Sequence, residues 1–381
     1  MRHENARLIA CQIGDGMDRL SSIALAILVM MDAPVVAQDK TPVARPVLQA
    51  DGSVLMPGRV VQMPSSFSPE ARQAFLDYYA RGGDPAFAGD IFAIRRIYDE
   101  KWAGPILTAW EKRFPVKTQR KTLAGVMVDE VTPAAGVAAD KRDKILLNFH
   151  GGGFVLGNGG IGGRIEAVPV AGLGGYRVLS IDYRQAPEAR YPAATDDAVA
   201  VYREILKTYR PENIGVYGSS AGGMLTAQLI ARLQKEKLPR PAAIAIMAAG
   251  ASRSGASDSS GWLLGLTGAE VKAPAEMPHM PQYFSPTDME DPAAFPADAP
   301  DILARFPPTL VLSSSRDALL GNALNTSAKL VEAGVENQLY VREGFGHGYF
   351  TQVPNVPEAI AAWQVTVAFF DRHLGRLQEN K

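Results

Sequence analysis

Short apolar runs of strand length recur along most of this chain, near residues 125–131, 144–149, 177–182, 213–217, 242–248, 309–313 and 338–342. Between most of them the apolar positions fall at helical spacing instead, as Leu225, Leu229, Ile230 and Leu233 do within 221–235. A last helix is predicted over Val356–Leu374. Strand alternating with helix predicts an α/β architecture, a mostly parallel sheet with helices on both faces. On such sheets ligand sites form at the carboxyl ends of the strands.

Three stretches depart from that alternation. Arg19 precedes Ile23–Met31, nine unbroken apolar residues, and small residues around Val35-Val-Ala37 suit cleavage after Ala37. Residues 1–37 read as a secretory leader, too short in its apolar part to span a membrane. Sixteen residues precede Met17, an alternative start, and Asp32 lies close to the apolar run. A cleaved leader implies a periplasmic or secreted protein. The alternative, a buried N-terminal helix, implies a cytoplasmic one. Residues 38–64, with Pro42, Pro46, Pro57 and Pro64, read as an extended tether. Over 65–120 two helices are predicted. Ser68-Pro-Glu-Ala-Arg72 opens the first, with Ser at the N-cap, Pro at N1 and an acid in the first turn, and the second runs near Ile91–Phe114. The main domain then occupies 121–381, interrupted at 251–297 by a segment rich in Ser, Gly and Pro that carries Trp262, Leu263, Leu264, Met277, Met280, Tyr283 and Phe284. Loops of this length are often functional. Its apolar residues either line a pocket or pack as a cover.

Composition narrows the partners. The 381 residues suit one large domain with ample core, and 47% apolar with 21% charged residues is ordinary for a globular protein. A net charge of −1 gives no electrostatic footprint for nucleic acid. The single cysteine, Cys11, lies in the leader, so the chain has neither a disulfide framework nor a cysteine-based metal site.

The candidate chemistry lies at strand ends. Gly218-Ser219-Ser220-Ala221-Gly222 is a G-x-S-x-G pattern between the strand at 213–217 and the helix from 221. That is the context of a nucleophile elbow, in which a sharp turn presents Ser220 Oγ and sets the Ala221 N–H at a helix start. Gly218 and Gly222 leave space around the turn. A serine needs a base, and the base an orienting acid. Of the five histidines, His347 lies in a Gly-flanked loop after the 338–342 strand, and Asp317 follows the 309–313 strand in the same way. The order Ser220, Asp317, His347 is that of an α/β-hydrolase. Upstream, His150-Gly151-Gly152-Gly153-Phe154 follows the strand at 144–149, and its glycines let backbone N–H groups gather round a developing negative charge.

With these motifs the chain resembles the hormone-sensitive-lipase family of α/β-hydrolases, in its bacterial esterase branch, over roughly residues 65–375. Asp182-Tyr-Arg-Gln-Ala-Pro-Glu188, Tyr191-Pro-Ala-Ala-Thr-Asp-Asp197 and Asp291-Pro-Ala-Ala-Phe-Pro296 carry the resemblance further. It implies oxyanion donors at the N–H groups of Gly152, Gly153 and Ala221, and a cap over the site built from the N-terminal helices and 251–297. Two positions depart from the family pattern. Ser219 stands where Asp is common, and Asp317-Ala-Leu-Leu-Gly321 replaces Asp-Pro-Leu-Arg-Asp. Neither removes a triad member; both bear on subfamily and substrate. The activity implied is that of a serine carboxylesterase on short-chain or small esters, needing no metal or cofactor. A lactone hydrolase with the same triad, and a non-catalytic binding protein on the same fold, are the alternatives.

Overall fold

The computed structural model describes residues 47–48, 54–56, 59–80, 90–253, 259 and 282–375. The leader expected at 1–37 lies outside the described residues, as do 254–258 and 260–281 of the interrupting segment. The first elements form a small antiparallel meander, β1 (Val47–Leu48), β2 (Val54–Met56) and β3 (Arg59–Val61). The second half of the expected tether therefore pairs with itself. Its valines at 47, 54, 60 and 61 suit a strand, and only two residues separate the paired Met56 and Arg59.

The first helix, α1 (Pro69–Ala80), starts as its sequence predicts, with Ser68 Oγ accepting the Ala71 N–H at 3.0 Å. The second predicted helix is one continuous rod in three parts: α2 (Ile91–Ile97), a π turn (Tyr98–Ala103) and α3 (Gly104–Arg113). Its irregularity has a local cause. Pro105 has no N–H to donate within the helix, and the N–H of Gly104 reaches back five residues to the Asp99 carbonyl.

The main sheet has eight strands: β4 (Val116–Leu123), β5 (Val126–Pro133), β6 (Ile145–Phe149), β7 (Arg177–Ile181), β8 (Ile214–Ser219), β9 (Ala243–Met247), β10 (Thr309–Ser314) and β11 (Asn337–Arg342). Their spatial order is β11-β10-β9-β8-β6-β7-β5-β4. From β11 to β7 all pairs are parallel; β5 runs antiparallel to β7, and β4 antiparallel to β5. The central strands β6, β8 and β9 are buried at every residue, which is why they read as mostly apolar runs without alternation.

One strand escapes the apolar pattern. β4 has the sequence Val-Lys-Thr-Gln-Arg-Lys-Thr-Leu and lies at the end of the stretch expected to be helical. It is an edge strand with mostly exposed side chains, so its strand character comes from pairing with β5 rather than from burial.

Helices cover both faces. On one side α4 (Ile161–Gly174) and α10 (Pro357–His373) pack together, with α3 beside α4. The other group comprises α5 (Ala193–Ile205), α6 (Ala221–Lys235), the single turn α7 (Pro300–Leu303) and α8 (Leu320–Glu332). A further turn, α9 (Tyr349–Gln352), links β11 to α10.

Candidate active site

The turn from β8 to α6 places Ser220 at φ 52°, ψ −121°, a conformation that side chains disfavour, at a cost of about 1–3 kcal/mol. The surroundings enforce it. Ser220 N–H donates to the Met247 carbonyl at 2.8 Å, and the neighbouring glycines lie against β6. A Cβ on Gly222 would fall 1.8 Å from the Phe149 carbonyl oxygen, so only glycine lets α6 start this close to the sheet.

Asp317 follows β10 and is fully buried. Its Oδ1 accepts from His347 Nδ1 at 2.7 Å and from the Leu319 N–H at 2.8 Å, and its Oδ2 accepts from Ser313 Oγ at 3.0 Å. Burial is the largest single influence and opposes ionisation. The His347 charge and these hydrogen bonds together outweigh it and hold the carboxyl below the usual aspartate range. His347 thus has its Nδ1 engaged and its Nε2 directed elsewhere.

His347 Nε2 and Ser220 Oγ are both buried without a hydrogen-bond partner, and both residues line one cleft. No direct hydrogen bond joins them. The cleft is half open to solvent, with a cavity volume of about 60 Å³. Gly151 and Gly152 form one edge, and Tyr98, Trp102, Leu156 and Ile165 its apolar wall.

The loop after β6 is pinned from several sides. Gly152 has φ 116°, and its carbonyl accepts the Val155 and Leu156 N–H groups at 3.0 and 2.8 Å. The His150 ring stacks on Tyr183 at 4.4 Å, and the Tyr183 hydroxyl donates to the His150 carbonyl. Burial pushes the His150 imidazole below its usual range, toward the neutral form. Gly151, Gly152, Ser220 and His347 line the cleft, and Gly153, His150, Ala221 and Asp317 are buried next to them in the chain or hydrogen-bonded to them.

Several site residues carry no signal in the sequence. Tyr98 and Trp102 reach the cleft because the π turn sets them, stacked at 4.9 Å, on its inner side. Arg95 is buried and donates to the Val155 and Ala186 carbonyls, bracing the glycine loop against the Asp182–Glu188 segment, with its charge paired to Glu188. Glu166 projects from α4 into the cleft wall. Of the interrupting segment, Tyr283 and Phe284 are packing residues. Tyr283 stacks on Phe154 at 4.4 Å, and Phe284 meets Phe154, Tyr191 and Phe295. Trp262, Leu263, Leu264, Met277 and Met280 lie outside the described residues. Among the described residues no His, Cys, Asp and Glu cluster could hold a metal ion, and no helix is long and apolar enough to cross a membrane.

A sheet of this order has counterparts among known proteins. A family described as the alpha/beta hydrolase fold matches residues 146–351, more than half of the chain. The chain belongs to this family. A solved structure, esterase E25, is 30% identical to this α/β-hydrolase, with a TM-score of 0.69 over 84% of this chain and 98% of its own. An esterase from the bacterial hormone-sensitive lipase family shares the fold at a TM-score of 0.66 and 24% identity, over 81% of this chain and 99% of its own. The acetyl-hydrolase of Streptomyces hygroscopicus is 29% identical over 61% of this chain and 76% of its own length. The carboxylesterase/phospholipase LipF of Mycobacterium tuberculosis is 31% identical over 60% of this chain and 62% of its own length. The likeness to esterases of the α/β-hydrolase fold read from the motifs therefore holds for this chain.

Proposed function

We propose that this carboxylic ester hydrolase is a serine esterase acting on short-chain or small esters, with Ser220 as nucleophile, His347 as base and Asp317 as orienting acid. The observation that carries the reading is the His347–Asp317 hydrogen bond at 2.7 Å, which leaves His347 Nε2 free toward the cleft that also receives the unpartnered Ser220 Oγ. The Ser220 proton passes to His347 Nε2 as Oγ bonds to the ester carbonyl carbon. The carbonyl oxygen becomes an oxyanion facing the N–H groups of Gly152, Gly153 and Ala221. His347 then hands the proton to the leaving alkoxide, and the C–O bond breaks. A water molecule, deprotonated by His347, attacks the acyl-enzyme; Ser220 recovers its proton and the acid departs. Every step uses only the protein's own groups, the ester and water.

The test compares the parent with Ser220→Ala on p-nitrophenyl acetate. The parent is expected to hydrolyse it, and the variant to lose at least about 10⁴-fold in kcat while melting as the parent does. Wild-type turnover in Ser220→Ala would overturn the assignment of the nucleophile. Hydrolysis by neither protein, on acyclic esters or lactones, would overturn the esterase reading.

A further inference from the structure

Glu166 joins the two halves of the site through one carboxylate. It is carried by α4, whose first turn approaches the sheet unusually closely. A Cβ on Gly163 would lie 1.7 Å from Ser180 Oγ on β7, so a side chain there would displace the hydroxyl that donates to Asn148. Three residues later, on the same helix face, Glu166 turns its side chain beneath the ends of β6 and β8. It is 2% exposed. Its Oε1 accepts both the Gly151 N–H at 3.0 Å and Ser219 Oγ at 2.6 Å. Its Oε2 accepts Asn148 Nδ2 at 2.9 Å, and Asn148 Oδ1 in turn accepts from Ser180 at 3.1 Å.

Two of these donors adjoin the reacting groups. Gly151 directly precedes Gly152, and Ser219 directly precedes Ser220. The two segments are already in contact, since a Cβ on Gly151 would lie 3.3 Å from Ser220 Cβ. A buried carboxyl is a costly way to fill space that an apolar side chain could fill. We propose that Glu166 is a positioning residue whose shared oxygen, by accepting from Gly151 and Ser219 together, sets the distance between the glycine loop and the nucleophile. The proposal rests on the serine-esterase reading of Ser220.

The charge environment supports this role. Burial raises the Glu166 carboxyl to about 7 despite the hydrogen bonds from Ser219, Asn148 and Gly151 that favour its ionised form. The titratable groups facing it are Tyr98 from the π turn, Tyr183 after β7 and Tyr217 on β8. Burial first and the Glu166 charge next keep all three phenols protonated. His347 lines the same cleft. No cation is among the influences on the Glu166 carboxyl, so its hydrogen-bond donors are what hold it.

The experiment uses the full chain and four variants: Glu166→Ala, Glu166→Gln, Ser219→Ala and the double variant Glu166→Ala/Ser219→Ala. kcat and KM are measured with p-nitrophenyl acetate, affinity with an oxyanion-forming methyl trifluoromethyl ketone, and folding by thermal melting. Glu166→Ala is expected to lose about 10²-fold in kcat, with KM within about threefold, and to weaken ketone binding in parallel with kcat. Glu166→Gln, whose amide oxygen still accepts, is expected within about tenfold of the parent. Ser219→Ala should lose about tenfold, and the double variant no more than Glu166→Ala alone, because Ser219 acts through Glu166. A folded Glu166→Ala with parental kcat, or a loss confined to KM with ketone affinity intact, would overturn the proposal. If Glu166→Ala does not fold, Glu166→Gln and Ser219→Ala decide by the same split between kcat, KM and ketone affinity. A parent that hydrolyses no ester defeats the esterase reading itself, whereas an active parent matched by an equally active Glu166→Ala defeats only the role of Glu166.

Discussion

Two buried carboxyls at this site are shifted in opposite directions, and the stability of the protein should register both. Asp317 sits below its usual range, so its ionised form favours the folded state. Its contribution is fully present above the ordinary aspartate value and disappears as pH falls through the lower, folded-state value. Asp317→Asn should therefore be less stable than the parent at pH 7, with the gap narrowing on acidification. Glu166 is displaced the other way, from 4.5 to about 7, so the folded state holds a proton that the unfolded chain has released. The parent loses stability from this group as pH rises through that window. Glu166→Gln does not titrate, and its melting temperature relative to the parent should climb between pH 4 and pH 8. A relative melting temperature that stays flat or falls for Glu166→Gln would contradict the raised carboxyl. In the sequence, Asp317 is legible because its partners have a known order after successive strands. Glu166 is the lone acid of α4, in no motif that the sequence offers, and only the packing of α4 against β6 and β8 reveals its donors.

At the scale of elements, the segment after His347 is held by two tryptophans from distant helices. Trp110 Nε1 on α3 donates to the Thr351 carbonyl at 2.7 Å, and Trp363 Nε1 on α10 donates to the Phe350 carbonyl at 2.8 Å. Both indoles are fully buried, and Trp363 meets the Phe350 ring edge-on at 5.2 Å. Trp363→Phe keeps most of the apolar contact but leaves a buried carbonyl unsatisfied. It should destabilise the protein by about 1–3 kcal/mol, read from denaturant unfolding, and lower kcat more than it raises KM because α9 adjoins His347. A variant as stable as the parent would mean that the turn holds without this bond. These helices were predictable from their apolar spacing, as was the Ser68 cap. The π turn was not, because Gly104-Pro105 marks an interruption without saying which residues it redirects. β4 was illegible for another reason: an edge strand with polar side chains has no periodicity to read, and pairing alone defines it.

For the molecule as a whole, the N-terminal segment closes over the catalytic loops. Phe67 packs on Phe345 at 4.5 Å, and Ser68 donates through its backbone N–H and hydroxyl to the buried Glu358. Tyr98 and Trp102 stand on the wall of the cleft that Ser220 also lines. Bulky aromatic side chains walling the cleft favour short acyl groups. Each methylene that fits an apolar pocket adds roughly 1–3 kcal/mol to discrimination, and one too many forfeits it. Across esters from acetate to palmitate below their micellar concentrations, kcat/KM should peak at short chains. A steady rise to palmitate, with activation at an oil–water interface, would refute the small-substrate reading.

The sequence by itself determined the alternation of strands β5–β11 with helices, the α/β architecture and the order of Ser220, Asp317 and His347. Those properties are local: a buried strand needs an apolar run, and a nucleophile elbow needs glycines at fixed offsets. Tertiary structure alone decided which side chains wall the cleft, and that one carboxylate touches both the glycine loop and the turn that carries Ser220. Those depend on segments far apart in the chain approaching within a hydrogen bond's length. Glu166 and Ser219 are separated by 53 positions, Trp110 and Thr351 by 241. Such distances are set by how helices pack on a twisted sheet, a property of the assembled layers that no single stretch of residues carries.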